Sequence, residues 1–292
     1  SSDLFVIQLT GSVIGCPPLP SLIYSTNLVN FSCRKPALKM STAPLDFYQV
    51  GDAVCDELLG LLEKYANETL AKQDTFRVGV SGGSVATILA EGMHDLRSDF
   101  SKWQIFFCDE RIVPENDKES TYGVYKRDLL DNYPKFPKTA FYPVNCTLSA
   151  TDAAIDYEKT IRKAFGQKEG STEIPSFDLL ILGIGPDGHT ASLFPEHPLL
   201  DEKTVLIAPI ENSPKPPPKR VTMTYPLINN AKVCLFGAQG AGKAQILKRI
   251  LVDNDQSLPV ARVNPTKGRL IFVACDEAAS LIKGNPSREA KP

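Results

Sequence analysis

The sequence predicts an α/β fold, a parallel sheet covered by helices within one domain, and three observations lead there. From Ala43 onward, apolar runs of strand length alternate with amphipathic stretches of helix length. Glycine-rich or charged turns follow several of those runs at once, as ligand-binding turns follow the carboxyl ends of parallel strands. No internal repeat and no long polar linker divides the chain after Met40.

Taken in order, residues 1–39 hold one acidic residue, Asp3, together with Pro17, Pro18 and Pro20, and show no helical or strand period. Residues 1–40 are therefore expected to be a leader, a targeting segment or non-native upstream sequence, ahead of a main domain over 41–284 and a polar tail over 285–292. Leu58, Leu61, Leu62 and Tyr65 fall on one face of a helix. Strands are expected at 76–80, 104–108 and 178–182, then at 205–210, 221–225, 233–236 and 270–274. A helix is expected over 85–91, and Ile246, Ile250 and Leu251 mark another. Pro214, Pro216, Pro217 and Pro218 forbid helix and favour an extended segment that presents Lys219 and Arg220 in a fixed direction.

Composition removes several classes. The chain has 292 residues, 42% of them apolar, enough to bury a substantial core. Its 32 basic and 34 acidic residues leave a formal charge of -2, which gives no global field to attract nucleic acid or an anionic membrane. The apolar run from Leu4 to Leu9 is broken by Gln8 and lacks a basic flank, so a membrane span has little support. Seven scattered cysteines without a CxxC pair argue for a reducing compartment, by default the cytoplasm, and against zinc. Sequons beginning at Asn30, Asn67 and Asn145 are short enough to arise by chance. The chain is expected to be a monomer or a small homo-oligomer.

Chemistry concentrates in three turns. Ser81, Gly82, Gly83 and Ser84 follow the strand at 76–80 and precede a helix, where backbone N–H groups and the helix start form a phosphate cradle; an ordinary glycine turn is the bland alternative. The run from Gly237 to Ala244 nearly satisfies the nucleotide-binding pattern Gly, four residues, Gly-Lys-Ser/Thr, yet Ala244 stands where the metal-binding hydroxyl belongs. Lys243 remains suited to a phosphate, while an ATPase becomes a distant alternative. Asp109, Glu110 and Arg111 close the strand at 104–108, either as an ion cluster or with Arg111 facing a developing anion. Finally, Gly183, Gly185, Pro186, Asp187 and Gly188 shape a turn around His189, placing a neutral-pH base beside a carboxylate at a strand end. His94 and His197 lack such surroundings. There is no HExxH pair and no Gly-x-Ser-x-Gly elbow, so neither a metal centre nor a serine hydrolase is supported.

Four segments together resemble the 6-phosphogluconolactonase family: SGGS at 81–84, CDERIVP at 108–114 followed by ESTYG at 119–123, GIGPDGHTASLFP at 183–195, and SPKPPPKRVT at 213–222. The resemblance runs from about Ala43 to Lys283. It implies a three-layer α/β/α fold with a mostly parallel, Rossmann-like sheet, no metal and no organic cofactor. It also implies hydrolysis of a phosphorylated sugar lactone, 6-phosphoglucono-δ-lactone, in the pentose phosphate pathway. Carried over by position, His189, Asp187 and Arg111 are the catalytic candidates, and Gly82, Gly83, Ser84, Arg220 and Lys243 the phosphate ligands. Asp109 and Glu110 are further site candidates. The glucosamine-6-phosphate deaminase branch shares the Asp-Gly-His core, but Arg111 and the Ser192 to Pro195 run depart from its pattern. A non-catalytic sugar-phosphate-binding protein is the alternative from another class.

Overall fold

The computed structural model of the protein describes residues 43–287, apart from 135 and 266. The expected leader over 1–40 and residues 288–292 of the expected tail lie outside the described residues. Ten strands occur among the described residues: β1 (Leu45–Gln49), β2 (Phe76–Val80), β3 (Trp103–Phe107), β4 (Asp109–Arg111), β5 (Phe141–Tyr142), β6 (Leu179–Leu182), β7 (Ile207–Ile210), β8 (Arg220–Met223), β9 (Val233–Ala238) and β10 (Arg269–Ala274). Between them run α1 (Val54–Leu70), α2 (Ser84–Gly92), α3 (Thr121–Tyr125), α4 (Ala150–Ala164), α5 (Tyr225–Ile228), α6 (Ala244–Leu251) and α7 (Asp276–Ala279).

Seven strands form one sheet in the order β1-β10-β9-β6-β2-β3-β5, and every pairing in it is parallel. Helices flank it, as the alternation of the sequence requires. All of β6 is buried, which explains its unbroken Leu-Leu-Ile-Leu run: a parallel strand with both faces covered has no solvent side to mark with polar residues. In α1, Leu58, Leu61 and Leu62 are buried and Tyr65 is partly buried against the core, so the predicted stripe is the packed face.

Two of the expected strands leave this sheet. β7 and β8 pair antiparallel with each other, and β8 pairs antiparallel with β4, giving a separate three-stranded sheet. The reason is length. Residues 211–219 joining β7 to β8 are too few and too proline-rich for the crossover of a dozen or more residues that parallel strands need.

Strand order fixes where a ligand can sit. From β2 the chain runs outward to β3 and β5, then returns to the other side of β2 as β6. The switch point between β2 and β6 opens a crevice at the carboxyl ends of the strands. Side by side there, β9, β6, β2 and β3 deliver the turns bearing Lys243, His189, Gly82 to Ser84, and Asp109 to Arg111.

Candidate active site

The turn after β6 is built around its histidine. Gly185 N–H donates to the His189 carbonyl at 2.8 Å and Gly188 N–H to the Gly185 carbonyl at 2.9 Å, closing the loop on itself. A side chain at 185 has no room: a Cβ there would fall within the imidazole's own contact distance and 2.7 Å from Asp187 Oδ1. The sharp turn lets Asp187 Oδ1 accept from His189 Nδ1 at 2.5 Å. Because a carboxylate can only accept, Nδ1 carries the hydrogen, and Nε2 of the neutral ring is left as the basic nitrogen.

The electrostatics keep that nitrogen unprotonated. Burial pushes the His189 imidazole below its ordinary value, opposed by the Asp187 carboxylate and reinforced by the Lys215 charge. For Asp187, burial acts upward but is outweighed by hydrogen bonds and charge from His189 and Lys215, which hold its carboxyl down at about 2. The pair is therefore an ionised carboxylate and a neutral imidazole at neutral pH.

A cavity of about 140 Å³ joins four of the predicted groups: the Gly82, Gly83, Ser84 cradle, Asp109, Arg111 and His189, with Gly183 to Gly185 as floor. Gly83 adopts a φ of +65° at the N-cap of α2, a conformation open to glycine, so the chain enters the helix with its first N–H groups at the cavity. Lys243 lines an adjoining cavity of about 430 Å³ that shares Ser84 and Ile184 with the first. Its Nζ donates to the Ile184 carbonyl at 2.6 Å, five residues from His189.

The charged residues after β3 divide into distinct positions. Asp109 is buried and its Oδ2 accepts from Ser192 Oγ at 2.7 Å. Arg111 Nη1 donates to the Glu119 carbonyl at 2.9 Å and to its carboxylate at 3.3 Å, while its buried Nε has no partner among the described residues. An unpaired buried donor is costly, and Arg111 also lines the cavity with His189, which makes its guanidinium a candidate partner for an anionic or carbonyl oxygen. Glu110 does something else: its carboxylate accepts from the N–H groups of Arg111, Thr121 and Tyr122 at 2.7, 2.7 and 2.8 Å. It staples β4 to the start of α3 and is absent from the walls of the cavity holding His189.

Arg220, opposite Arg111 in the β4–β8 pairing, is held mainly by protein acceptors. Four of its five N–H donors are committed, to the carbonyls of Lys215, Pro216 and Pro217 at 3.0, 3.0 and 3.1 Å and to Ser192 Oγ at 3.3 Å. The guanidinium lies 5.6 Å from the Phe194 ring centroid and lines neither cavity. Sequence reasoning missed Lys215, whose Nζ sits 3.0 Å from Asp187 Oδ1 and 3.3 Å from His189 Nδ1. It also missed Ser192 and Phe194, the latter packed at 4.8 Å against the His189 ring. The signal available for Lys215 was the proline cluster, which limits where the lysine within it can go. No group of three or more His, Cys, Asp or Glu side chains among the described residues is arranged to hold a metal, and no helix among them is long and apolar enough to cross a membrane.

The family profile described as glucosamine-6-phosphate isomerases/6-phosphogluconolactonase matches residues 50–272. A rat 6-phosphogluconolactonase is 47% identical over 212 residues, 71% of this chain and 80% of the rat protein. A rice protein described as a probable chloroplastic 6-phosphogluconolactonase is 34% identical, covering 80% of this chain and 75% of its own. Among solved structures, the 6-phosphogluconolactonase of Trypanosoma cruzi aligns with a TM-score of 0.71 at 28% identity, over 84% of this chain and 99% of that one. That of Thermotoga maritima aligns with a TM-score of 0.68 at 28% identity, over 79% and 99%. Parallel sheet, switch-point crevice and Asp-Gly-His turn thus come together with a match over most of the sequence, and the chain belongs to the family of glucosamine-6-phosphate isomerases and 6-phosphogluconolactonases.

Proposed function

We propose that the protein hydrolyses 6-phosphoglucono-δ-lactone to 6-phosphogluconate, the lactone-opening step of the pentose phosphate pathway, with a water activated by His189. The observation that carries this reading is the 2.5 Å bond from His189 Nδ1 to Asp187, which leaves Nε2 to take a proton on a residue lining the same cavity as the Gly82 to Ser84 turn. Relatives of 46–47% identity carry the lactonase name, which favours this branch over the isomerases.

Binding energy from the phosphate, gathered by the amides at Gly82 and Gly83, the Ser84 end of α2 and Lys243, orients the lactone carbonyl against the water. Nε2 takes the proton as water attacks, and the imidazolium that forms is stabilised by Asp187. It then returns a proton to the departing ring oxygen. Arg111, with its unpartnered Nε, stabilises the tetrahedral oxyanion, a contribution of roughly 3 to 4 kcal/mol for one well-placed donor. No covalent intermediate is required. The free cysteines among the described residues favour the cytoplasm as the site of action.

Proton release from freshly prepared lactone, corrected for spontaneous opening, tests the reading. His189→Ala should lose about 100- to 10,000-fold in kcat while still binding 6-phosphogluconate. Unchanged turnover in that variant would refute the base assignment. Release of ammonia from glucosamine 6-phosphate would identify the isomerase branch instead.

A further inference from the structure

Residues 213–219, within the connection from β7 to β8, carry four prolines. Prolines offer no N–H, so the segment cannot hold its shape through a ladder of its own. Its three successive carbonyls at 215, 216 and 217 are instead gathered onto the single buried guanidinium of Arg220. The segment is further closed by Ser213 N–H donating to the Pro218 carbonyl at 2.9 Å. Lys215 is thus held by a rigid base rather than by a free loop, and its ammonium reaches the carboxylate and ring described above.

We propose that Lys215 is a positioning residue for the His189–Asp187 pair, holding the carboxylate so that the imidazole stays an unprotonated base. The proposal rests on the lactonase reading for its consequence in turnover but not for its geometry. His189 Nδ1 already donates to Asp187, so the ammonium 3.3 Å from Nδ1 has no lone pair to bond there and pairs with Asp187 Oδ1 instead. Two effects follow, and they have the same sign. Sharing the carboxylate weakens its hold on an imidazolium, and a second cation beside the ring repels the extra proton. The other charged groups facing the pair are Asp109 and Arg111 from β4 and Lys243 from the turn after β9. Asp109 favours the imidazolium and none of the three replaces Lys215 at Asp187 Oδ1.

The test compares wild type, Lys215→Met and Lys215→Arg by the pH dependence of kcat/KM on the lactone and by NMR titration of the three histidines, with His189 identified from the signal lost in His189→Gln. In Lys215→Met the acidic limb should move to higher pH, so that activity at pH 5.5 relative to its own plateau falls about threefold or more. The inhibition constant of 6-phosphogluconate should stay within about twofold, and Lys215→Arg should restore the limb. The His189 titration should move upward in Lys215→Met even if the wild type proves to have no lactonase activity, which separates failure of this proposal from failure of the lactonase reading. An unmoved or lowered titration overturns it. So does an inhibition constant raised about tenfold with an unmoved limb, which would make Lys215 a phosphate ligand.

Discussion

Replacing Gly185 by alanine should disarm His189 without touching it. The added Cβ would overlap Nδ1 and Cε1 of the imidazole and approach Asp187 Oδ1 to 2.7 Å, so something must yield. Moving the backbone would break the two hydrogen bonds that close the turn, Gly185 to His189 at 2.8 Å and Gly188 to Gly185 at 2.9 Å. It would also drag the end of the fully buried β6. Swinging the imidazole out costs one charge-assisted hydrogen bond, about 1.5 to 3 kcal/mol, for a side chain that is already 21% exposed. The side chain therefore gives way. With the ring displaced, kcat should fall about 100- to 10,000-fold, the full contribution of a general base, while the melting temperature falls by only several degrees. Proton release on fresh lactone and a thermal melt measure the two, and the inhibition constant of 6-phosphogluconate reports whether the phosphate cradle survives. A Gly185→Ala protein with kcat within threefold of wild type would refute the claim that this glycine exists to admit the imidazole.

Three further outcomes are expected. Because burial holds His189 below 6.5 and the base must be unprotonated to act, kcat/KM should reach half its plateau below pH 6.5; a midpoint above that value contradicts the neutral-imidazole assignment. Lys243→Ala should raise the inhibition constant of 6-phosphogluconate about tenfold or more, the loss of one charge-assisted bond, and unchanged inhibition removes it from the site. Burial pushes the Glu110 carboxyl up to about 7 against the pull of three N–H donors. Since the folded value lies above the ordinary 4.5, the folded state holds the extra proton between them, and the contribution of Glu110 to stability is full below about 4.5 and lost as pH rises through 7. The unfolding free energy of wild type relative to Glu110→Gln should therefore decline by about 2 to 3 kcal/mol from pH 5 to pH 8 in urea titrations, and a difference independent of pH would show that the carboxyl does not titrate there.

The sheet was legible where burial leaves a continuous apolar run, as in β6 and in residues 270–274 of β10. It was not legible in β1 (LDFYQ), which pairs only with β10 at the sheet edge and mixes polar with apolar residues. Nor was it in β5, whose two residues are too few to show a period. β4 consists of Asp-Glu-Arg and reads as a charge cluster, because its strand character comes from pairing with β8 and not from side-chain pattern. The same division runs through the site. His189 and Asp187 are two residues apart, so a local turn suffices to predict their contact. Ser192 meets Asp109 across 83 positions and Lys215 meets His189 across 26, and only the docking of the small antiparallel sheet against the crevice brings them there. Arg220 shows what residue type leaves out: it suits phosphate, yet in the fold the carbonyls of Lys215, Pro216 and Pro217 and the Ser192 hydroxyl hold four of its five donors.

How the cations are committed favours one orientation of substrate. Arg220 has four of its five N–H donors on protein acceptors, and Lys215 is paired with Asp187; Arg111 keeps a buried Nε without a partner among the described residues, and Lys243 spends one of three donors on the Ile184 carbonyl. At its Arg111 end the first cavity holds Asp109, a buried carboxylate-bearing residue, and His189 beside the ionised Asp187, so a phosphate dianion placed there would face two acidic side chains, whereas the Gly82 to Ser84 turn meets the second cavity through Ser84. Lys243 lies in the adjoining cavity with Ser84, Gly237 and Gly240, whose lining holds no acidic side chain, although the Asp187 charge still reaches its ammonium. On the proposed lactonase reading, the dianion is assigned to the Lys243 and Ser84 end, and a carbonyl, neutral until attacked, to the Arg111 and His189 end. This arrangement lets negative charge appear beside Arg111 only in the transition state, where its stabilisation accelerates the reaction rather than merely tightening the ground-state complex.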